Sequence, residues 1–109
     1  SLLISLFHPV SSDITLLIFY PIHPEDYILF EKYGKESVID PDMIIRDRKH
    51  EGTVFMIKRL PDTNLNVVVR VVLETAGSKL KNSVMTFYRI RERNLRKLIE
   101  KNRTLYKKE

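Results

Sequence analysis

TVFMIKRLPDTNLNVVVRVVLE, residues 53–74, is the stretch that decides the fold. Its two apolar runs, 53–60 and 65–74, are rich in β-branched residues, and the turn-forming segment 61–64 (PDTN) separates them. A connection this short predicts two neighbouring antiparallel strands. Residues 67–72 are apolar on both faces except at Arg70, which is typical of a central strand covered on both sides.

A third strand and a closing helix are predicted after this pair. Residues 82–91 are strand-like and follow a turn-like segment at 75–78 (TAGS), so the third strand should run antiparallel to the second. The final segment has a mostly apolar set of residues at helical spacing: Leu95, Leu98, Ile99, Asn102, Leu105 and Tyr106. One side of this helix should therefore pack, and the other should carry basic residues.

Two helices are predicted before the strands. Residues 23–26 (HPED) combine an early proline with first-turn acids, which is typical of a helix start, and Gly34 is the expected C-cap. A second short helix is predicted to open at Asp40, since residues 40–42 (DPD) supply a cap, an N1 proline and a favourable first-turn charge. Met43, Ile44 and Ile45 would form its buried side, followed by a polar loop at 46–52.

The first 22 residues are expected to form an apolar hairpin or extension ahead of the core. Residues 2–7 and 14–20 are short strand candidates, and Pro9 and the segment 11–13 interrupt them. Neither run approaches the ~18 residues of a membrane span, and no basic region opens a signal peptide. The expected fold is one α+β domain over residues 1–109, with its core at 23–109: N-terminal helices, an antiparallel β-meander and a C-terminal basic helix.

Composition limits the chemistry that the chain can perform. The 109 residues include no cysteine, which excludes disulfides, thiolate catalysis and cysteine-based zinc sites. This fits a reducing compartment, so a cytoplasmic location is expected. The three glycines are isolated and no spacing suggests a metal centre, so neither a Gly-rich phosphate loop nor a cofactor is expected. A chain that begins with serine is also consistent with the C-terminal domain of a longer protein.

Positive charge is concentrated in the C-terminal tail. The formal net charge is +5; residues 89–109 hold nine basic and three acidic residues, whereas the other 88 residues are nearly neutral. A basic surface attracts phosphate backbones and steers their approach without selecting a sequence. RNA is the favoured partner on this basis. A solvated helix face, an anionic membrane surface and an acidic protein partner are the alternatives.

Polar residues interrupt several apolar segments. Lys58 and Arg70 lie inside predicted strands, where a cation is costly to bury unless it is paired or faces a groove. A snorkelling stem or an ion pair with Glu74 is the structural alternative. Thr86 and Tyr88 are two residues apart and therefore share a strand face. With a histidine, these residue types could activate a ribose 2′-hydroxyl, protonate a leaving 5′-oxygen and hold phosphate, as a metal-independent ribonuclease must.

The order of these features resembles the phage-associated nuclease domains of the barnase, EndoU, colicin E5/D and RelE-like (BECR) superfamily. The resemblance covers roughly residues 23–106. Its segments are HPED (23–26), IDPDMI (39–44), TVFMIK (53–58), NVVVR (66–70) and NSVMTFY (82–88). The last segment, with a basic helix after it, is the most specific part.

The resemblance implies an RNase toxin-like fold and a metal-independent endoribonuclease that leaves a 2′,3′-cyclic phosphate. It matches His23, Lys58 and Thr86 to catalytic positions of the family, with Tyr88 as a further candidate. Phosphate or RNA would be held by Arg70, Arg89, Arg91, Arg93, Arg96 and Lys97. RNA is the implied substrate, and an immunity or antitoxin protein is a further expected partner. The alternative is a catalytically inactive RNA- or protein-binding module, such as a phage structural or accessory protein.

Overall fold

The computed structural model describes residues 14–16, 22–70 and 82–109. In chain order the elements are β1 (Ile14–Leu16), α1 (Pro24–Ile39), β2 (Met43–Arg46), β3 (Thr53–Arg59), β4 (Asn64–Arg70), β5 (Asn82–Ile90), α2 (Glu92–Lys101) and β6 (Arg103–Lys107). One six-stranded sheet has the order β1-β5-β4-β3-β2-β6. β1 is parallel to β5 and the other pairs are antiparallel, which confirms the α+β class and the β3-β4-β5 meander.

The first helix is longer than expected. α1 begins as predicted, with Pro24 in its first turn and His23 as its N-cap, but it continues through Gly34 to Ile39. Gly34 is therefore an interior residue of the helix and the prediction of a C-cap there was wrong. A Cβ at this position would lie 2.7 Å from the Phe30 ring, so the glycine allows that ring to lie against the helix backbone.

The predicted helix at Asp40 is a strand. Residues 43–46 form β2, which pairs with β3 on one side and β6 on the other. The capping signature serves strands instead, because Asp42 accepts the Arg59 N–H at 2.7 Å through its carboxylate and the Lys108 N–H at 2.8 Å through its carbonyl oxygen. Only one helix therefore precedes the meander in the part of the chain that the structure describes.

The closing helix is shorter than predicted. α2 ends at Lys101, and Asn102 has extended backbone angles (φ −130°, ψ 176°) that turn the chain into β6. Leu105 and Tyr106 therefore lie in a strand rather than on the helical stripe. β6 covers the backbone edge that β2 would otherwise leave unpaired.

α1 packs on one face of the sheet, here called the α1 face. The rings of Phe30 and Phe87 stack with centroids 3.8 Å apart and an interplanar angle of 8°. Leu65, Val67 and Val69 of the central strand β4 complete this core and are fully buried. The aromatic stack therefore joins α1 to β5 across the middle of the sheet.

α2 packs on the opposite face, the α2 face. Leu95 is fully buried against Met43, Ile45, Phe55, Ile57 and Ile90, with Leu98 and Ile99 beside it. β4 is thus a central strand between two covered faces, as its sequence predicts. The expected strand at 2–7, residues 17–20 of the next one, residues 71–74 of the second strand of the meander (including Glu74) and the turn at 75–78 lie outside the described residues. Within the described ranges, no helix is long and apolar enough to cross a membrane.

Gly34→Ala tests the close approach of Phe30 to α1. Alanine raises intrinsic helix propensity by about 1 kcal/mol, but its Cβ would meet a ring that the stack on Phe87 prevents from moving. Overpacking of this kind costs about 1–3 kcal/mol, so we expect a lower urea midpoint. Lys35→Ala on the exposed side of α1 is the matched control and should be nearly neutral. A more stable Gly34→Ala protein would contradict the tight contact.

Candidate functional site

Lys58 lies on the α1 face, enclosed by acidic groups. Its ammonium donates to the Asp40 carbonyl oxygen at 3.0 Å, and the carboxylates of Glu36, Asp40 and Asp42 lie 3.7, 3.9 and 3.8 Å away. Only 11% of the side chain is exposed, and these partners offset the cost of burying its charge. Lys58 thus joins β3 to the C-terminal end of α1 and the residues that follow it.

His23 and Arg89 lie at the other end of α1. Nδ1 of the exposed His23 accepts a 3.4 Å hydrogen bond from the Glu25 N–H. Arg89 pairs with Asp26 at 2.6 Å and Glu25 at 2.9 Å, and its hydrogen bond to Asp26 raises the pKa of the guanidinium. Both residues line a cavity of about 620 Å³ together with Arg91. Arg89 is thus engaged by carboxylates of α1, whereas His23 is accessible.

A bulge in β5 determines where Thr86 lies. The register between β4 and β5 shifts so that Met85 is an extra residue between Val84 and Thr86. In a regular strand Val84 and Thr86 would share a face. The bulge instead buries Val84 in the α1-face core and places Thr86 opposite Val68, on the α2 face.

Tyr88 lies on the same face as Thr86, as predicted. Thr86 of β5 pairs with Val68 of β4, and Tyr88 of β5 pairs with Asn66 of β4. The Tyr88 hydroxyl accepts a 3.0 Å hydrogen bond from Asn66 Nδ2, and burial raises the pKa of Tyr88. The raised pKa keeps the phenol protonated and makes it a weaker acid than an exposed tyrosine.

The residues matched by the resemblance occupy three separate places. Lys58 is opposite Leu65 on the α1 face, Thr86 is opposite Val68 on the α2 face, and His23 caps the start of α1. The structure does not bring these three together. It does bring Thr86 together with Arg70 in one groove, and it brings His23 together with Arg89 and Arg91 in another.

The groove that holds Arg70 and Thr86 lies at one end of the sheet on the α2 face. Its volume is about 530 Å³, and it is lined by Asp47, His50, Glu51, Thr53, Val68, Arg70, Met85 and Thr86. Arg70 is opposite Thr53 across β3 and β4, so both lie where the strands meet the 47–52 loop. We call this concavity the sheet-end groove.

The 47–52 loop supplies a histidine held by a carboxylate. Asp47 Oδ1 accepts the Lys49 N–H at 2.9 Å, and Asp47 Oδ2 lies 2.9 Å from Nδ1 of His50. Gly52 has φ 82°, a conformation that favours glycine, and the Thr53 N–H then donates to the His50 carbonyl at 3.1 Å. The loop thus orients the imidazole at Nδ1 and leaves Nε2 for proton transfer.

Asp47 and His50 were missed by sequence reasoning. They lie in a segment that the sequence indicates only as a polar loop. The available signal was the Asp-x-x-His spacing immediately before a strand, which allows a carboxylate to contact an imidazole within one loop. That spacing is common in proteins, so it indicates a functional site only together with the groove that it borders.

α2 presents a basic outer surface, which we call the α2 basic surface. Arg93, Arg96 and Lys97 are exposed, while Leu95 faces the core. Arg96 interacts electrostatically with Glu92. Among the described residues, no carboxylate forms an ion pair with Arg93 or Lys97. Arg91 is the exposed N-cap and makes no side-chain capping bond.

The start of α2 is fixed by a contact with the β3-β4 turn region. Glu92 accepts a 2.8 Å hydrogen bond from Arg59 and a 3.1 Å hydrogen bond from Asn64. The Arg59 bond, followed by the Asn64 bond, lowers the pKa of Glu92. We call this contact the Glu92 clamp.

Comparison with known proteins gives no relative: no family model, no curated protein and no solved structure matches the chain. The described residues contain no group of three or more histidine, aspartate or glutamate side chains arranged to hold a metal ion. The geometry of the sheet-end groove and the α2 basic surface are therefore the features from which a function can be inferred.

The Glu92 clamp predicts a pH dependence of stability. The pKa of the Glu92 carboxyl is lowered in the folded state. The ionised carboxylate therefore stabilises the folded protein at pH values above the ordinary pKa of glutamate, and this stabilisation is lost as the pH falls through the lowered pKa. Between about pH 6 and about pH 3, the urea midpoint of the original protein should fall more than that of Glu92→Gln. Glu31→Gln, at an exposed position of α1, is the control, and its urea midpoint should change with pH as that of the original protein does. Parallel curves for all three proteins would contradict the clamp.

Proposed function

We propose that this domain is a metal-independent endoribonuclease whose reaction takes place in the sheet-end groove. The observation that carries the proposal is the contact between Asp47 and His50 beside Arg70 and Thr86. A carboxylate-oriented imidazole is suited to proton transfer near neutral pH, and a guanidinium with a hydroxyl is suited to holding a phosphodiester. The sequence resemblance to RNA-cleaving domains points to the same chemistry.

The proposed reaction needs no co-reactant. His50 takes the proton of a ribose 2′-hydroxyl, the 2′-oxygen bonds to phosphorus, and the bond from phosphorus to the 5′-oxygen breaks. Tyr88 lies outside the groove lining, two residues beyond Thr86 on the same face of β5, and its hydroxyl would be the donor for the leaving 5′-oxygen of a strand that extends along this face. Arg70 and Thr86 stabilise the charge that develops on the phosphoryl oxygens. The products are a 2′,3′-cyclic phosphate and a 5′-hydroxyl end.

The α2 basic surface would contribute affinity rather than chemistry. Its cations can neutralise backbone phosphates of a bound RNA, which strengthens binding without selecting a sequence. An enzyme of this class damages the cell that makes it, so an immunity or antitoxin protein remains part of the proposal.

Two histidine variants test where the chemistry occurs. His50→Ala should reduce cleavage of an RNA oligonucleotide in EDTA by about 10²–10⁴-fold, the usual contribution of a general base. His23→Ala is the matched control, because it also removes one exposed imidazole but lies at the start of α1. We expect it to cleave like the original protein. Loss of cleavage in His23→Ala alone would move the site to α1, and absence of cleavage by the original protein would reject the enzyme.

A binding module without catalysis is the second candidate. The separation of His23, Lys58 and Thr86 favours it, because the residues matched to the nuclease superfamily do not form one site. In this case the α2 basic surface would hold RNA and the groove would have no chemical role. Salt-dependent affinity without strand scission would distinguish this candidate from the enzyme.

Both candidates predict that the α2 basic surface contributes salt-sensitive affinity. For single-stranded RNA, removing one cation that neutralises a phosphate should reduce the slope of log affinity against log salt by about 0.7. Arg93→Gln with Lys97→Gln should therefore weaken binding and flatten this slope. Lys32→Gln with Lys35→Gln removes the same charge from α1 and should change the slope little. Equal changes in both double variants, measured by fluorescence anisotropy, would indicate that only net charge matters.

A further inference from the structure

A second concavity lies beside the 47–52 loop and has no role in the function proposed above. Its volume is about 670 Å³, and it is lined by Arg46, Asp47, Arg48, Glu51, Glu100, Lys101, Asn102 and Arg103. We call it the basic cleft. None of its four cations was among the phosphate-binding residues predicted from the sequence, because they come from β2, the loop, the end of α2 and β6.

Two arginines of the basic cleft are direct cross-strand neighbours. Arg46 of β2 is opposite Arg103 of β6, and like charges at directly opposed positions destabilise a sheet. Both side chains are exposed, as are those of Lys101 and Arg48. Over the described ranges, no carboxylate lies within ion-pairing distance of any of these four cations. The fold thus gathers four cations here without direct ion pairs, and the three carboxylates of the same lining leave a formal excess of one positive charge.

The carboxylates in the lining do not remove this excess locally. Asp47 is engaged by the Lys49 N–H and by His50. Glu51 and Glu100 weaken the attraction for an anion, so the inference depends on the opposed arginines rather than on net charge. An anion between Arg46 and Arg103 would replace their repulsion with two charge-assisted contacts.

The basic cleft is held in shape by Asn102. Its Oδ1 accepts the Arg48 N–H at 2.8 Å, and its Nδ2 donates to the Leu98 carbonyl at 2.9 Å. The loop is thereby tied to the last turn of α2. Arg48 is consequently presented from a fixed backbone rather than from a free loop.

The basic cleft adjoins the sheet-end groove across the 47–52 loop. Asp47 and Glu51 line both concavities, so the 47–52 loop separates them by its own width. We infer that the basic cleft is a subsite for a backbone phosphate of the same RNA strand whose scissile phosphate occupies the groove. This inference rests on the proposed function for its substrate.

The chemistry of the lining indicates what is recognised. Arginine side chains bind phosphate oxygens through two donors at once. No aromatic residue is among the described residues that line the basic cleft, so it lacks the stacking surface on which single-stranded bases are held. The subsite therefore recognises the backbone and contributes no base preference.

A binding experiment that requires no cleavage tests the subsite. The probe is a fluorescent 2′-O-methyl RNA with a 5′-hydroxyl end, which carries internal phosphates and has no 2′-hydroxyl to react. Arg48→Gln with Arg103→Gln should weaken its binding at least about tenfold, the effect of removing one charge-assisted hydrogen bond. Lys32→Gln with Lys35→Gln is the control and should change affinity much less, although net charge falls equally. Equal losses of affinity in the two double variants would overturn the subsite.

Stability gives a second measurement on the free protein. Arg103→Gln removes one of two opposed charges, so it should raise the urea midpoint in the absence of RNA, whereas Lys35→Gln should not. A lower midpoint for Arg103→Gln would contradict the repulsion on which the subsite is based. Folding of the variant is checked in the same titration.

The source of the phosphate is distinguished by competition. Inorganic tripolyphosphate and a 5′-phosphorylated mononucleotide should compete with the probe only weakly, because the subsite requires a strand that also reaches the groove. Strong competition by either would assign the cleft to free phosphates and overturn the inference. Weaker binding by the cleft variant with no cleavage by the original protein would reject the enzyme and keep the subsite. Cleavage by the original protein, with unchanged probe binding by the cleft variant, would keep the enzyme and reject the subsite.

Discussion

The central position of β4, with a helix packed on each face of the sheet, is the constraint on which the rest of the structure depends. The stack of Phe30 on Phe87 covers one face and Leu95 covers the other. Since alternate residues of a strand point to opposite faces, every polar residue of the sheet is assigned to one helix or the other. This separates Lys58 from Thr86, although each is one strand away from β4. Open grooves are then possible mainly at the ends of the strands.

The sequence predicts the parts of the fold that local pattern controls. β3 and β5 are found close to their predicted bounds, and β4 begins one residue before its predicted start, because runs of β-branched residues separated by turn formers specify strands. The capping signature at 40–42 predicts a helix that includes residues 43–45, and the short apolar run itself does not distinguish helix from strand. What decides it is pairing with β3 and β6. β6 is a similar case, since residues 105–106 match helical spacing and only the free edge of β2 makes them a strand.

The candidate site was less predictable than the fold for two physical reasons. The face on which Thr86 lies depends on the bulge at Met85, which reverses its alternation relative to Val84. The partner histidine comes from a loop, where no periodicity indicates direction. The count of basic residues in the tail also overestimates the positive charge that is free to bind an anion. Arg89 and Lys108 are among the nine basic residues, yet they pair with carboxylates of the N-terminal half.

The basic end of the chain is best understood as a rigid surface. The Glu92 clamp holds the start of α2 to the β3-β4 turn region, and Asn102 ties its end to the 47–52 loop. The two contacts fix both ends of the helix, and Leu95 fixes its middle. A surface held in this way would lose little backbone freedom if it bound a strand. The loop that supplies His50 is attached to the same helix through Asn102, so the α2 basic surface and the sheet-end groove belong to one hydrogen-bonded framework.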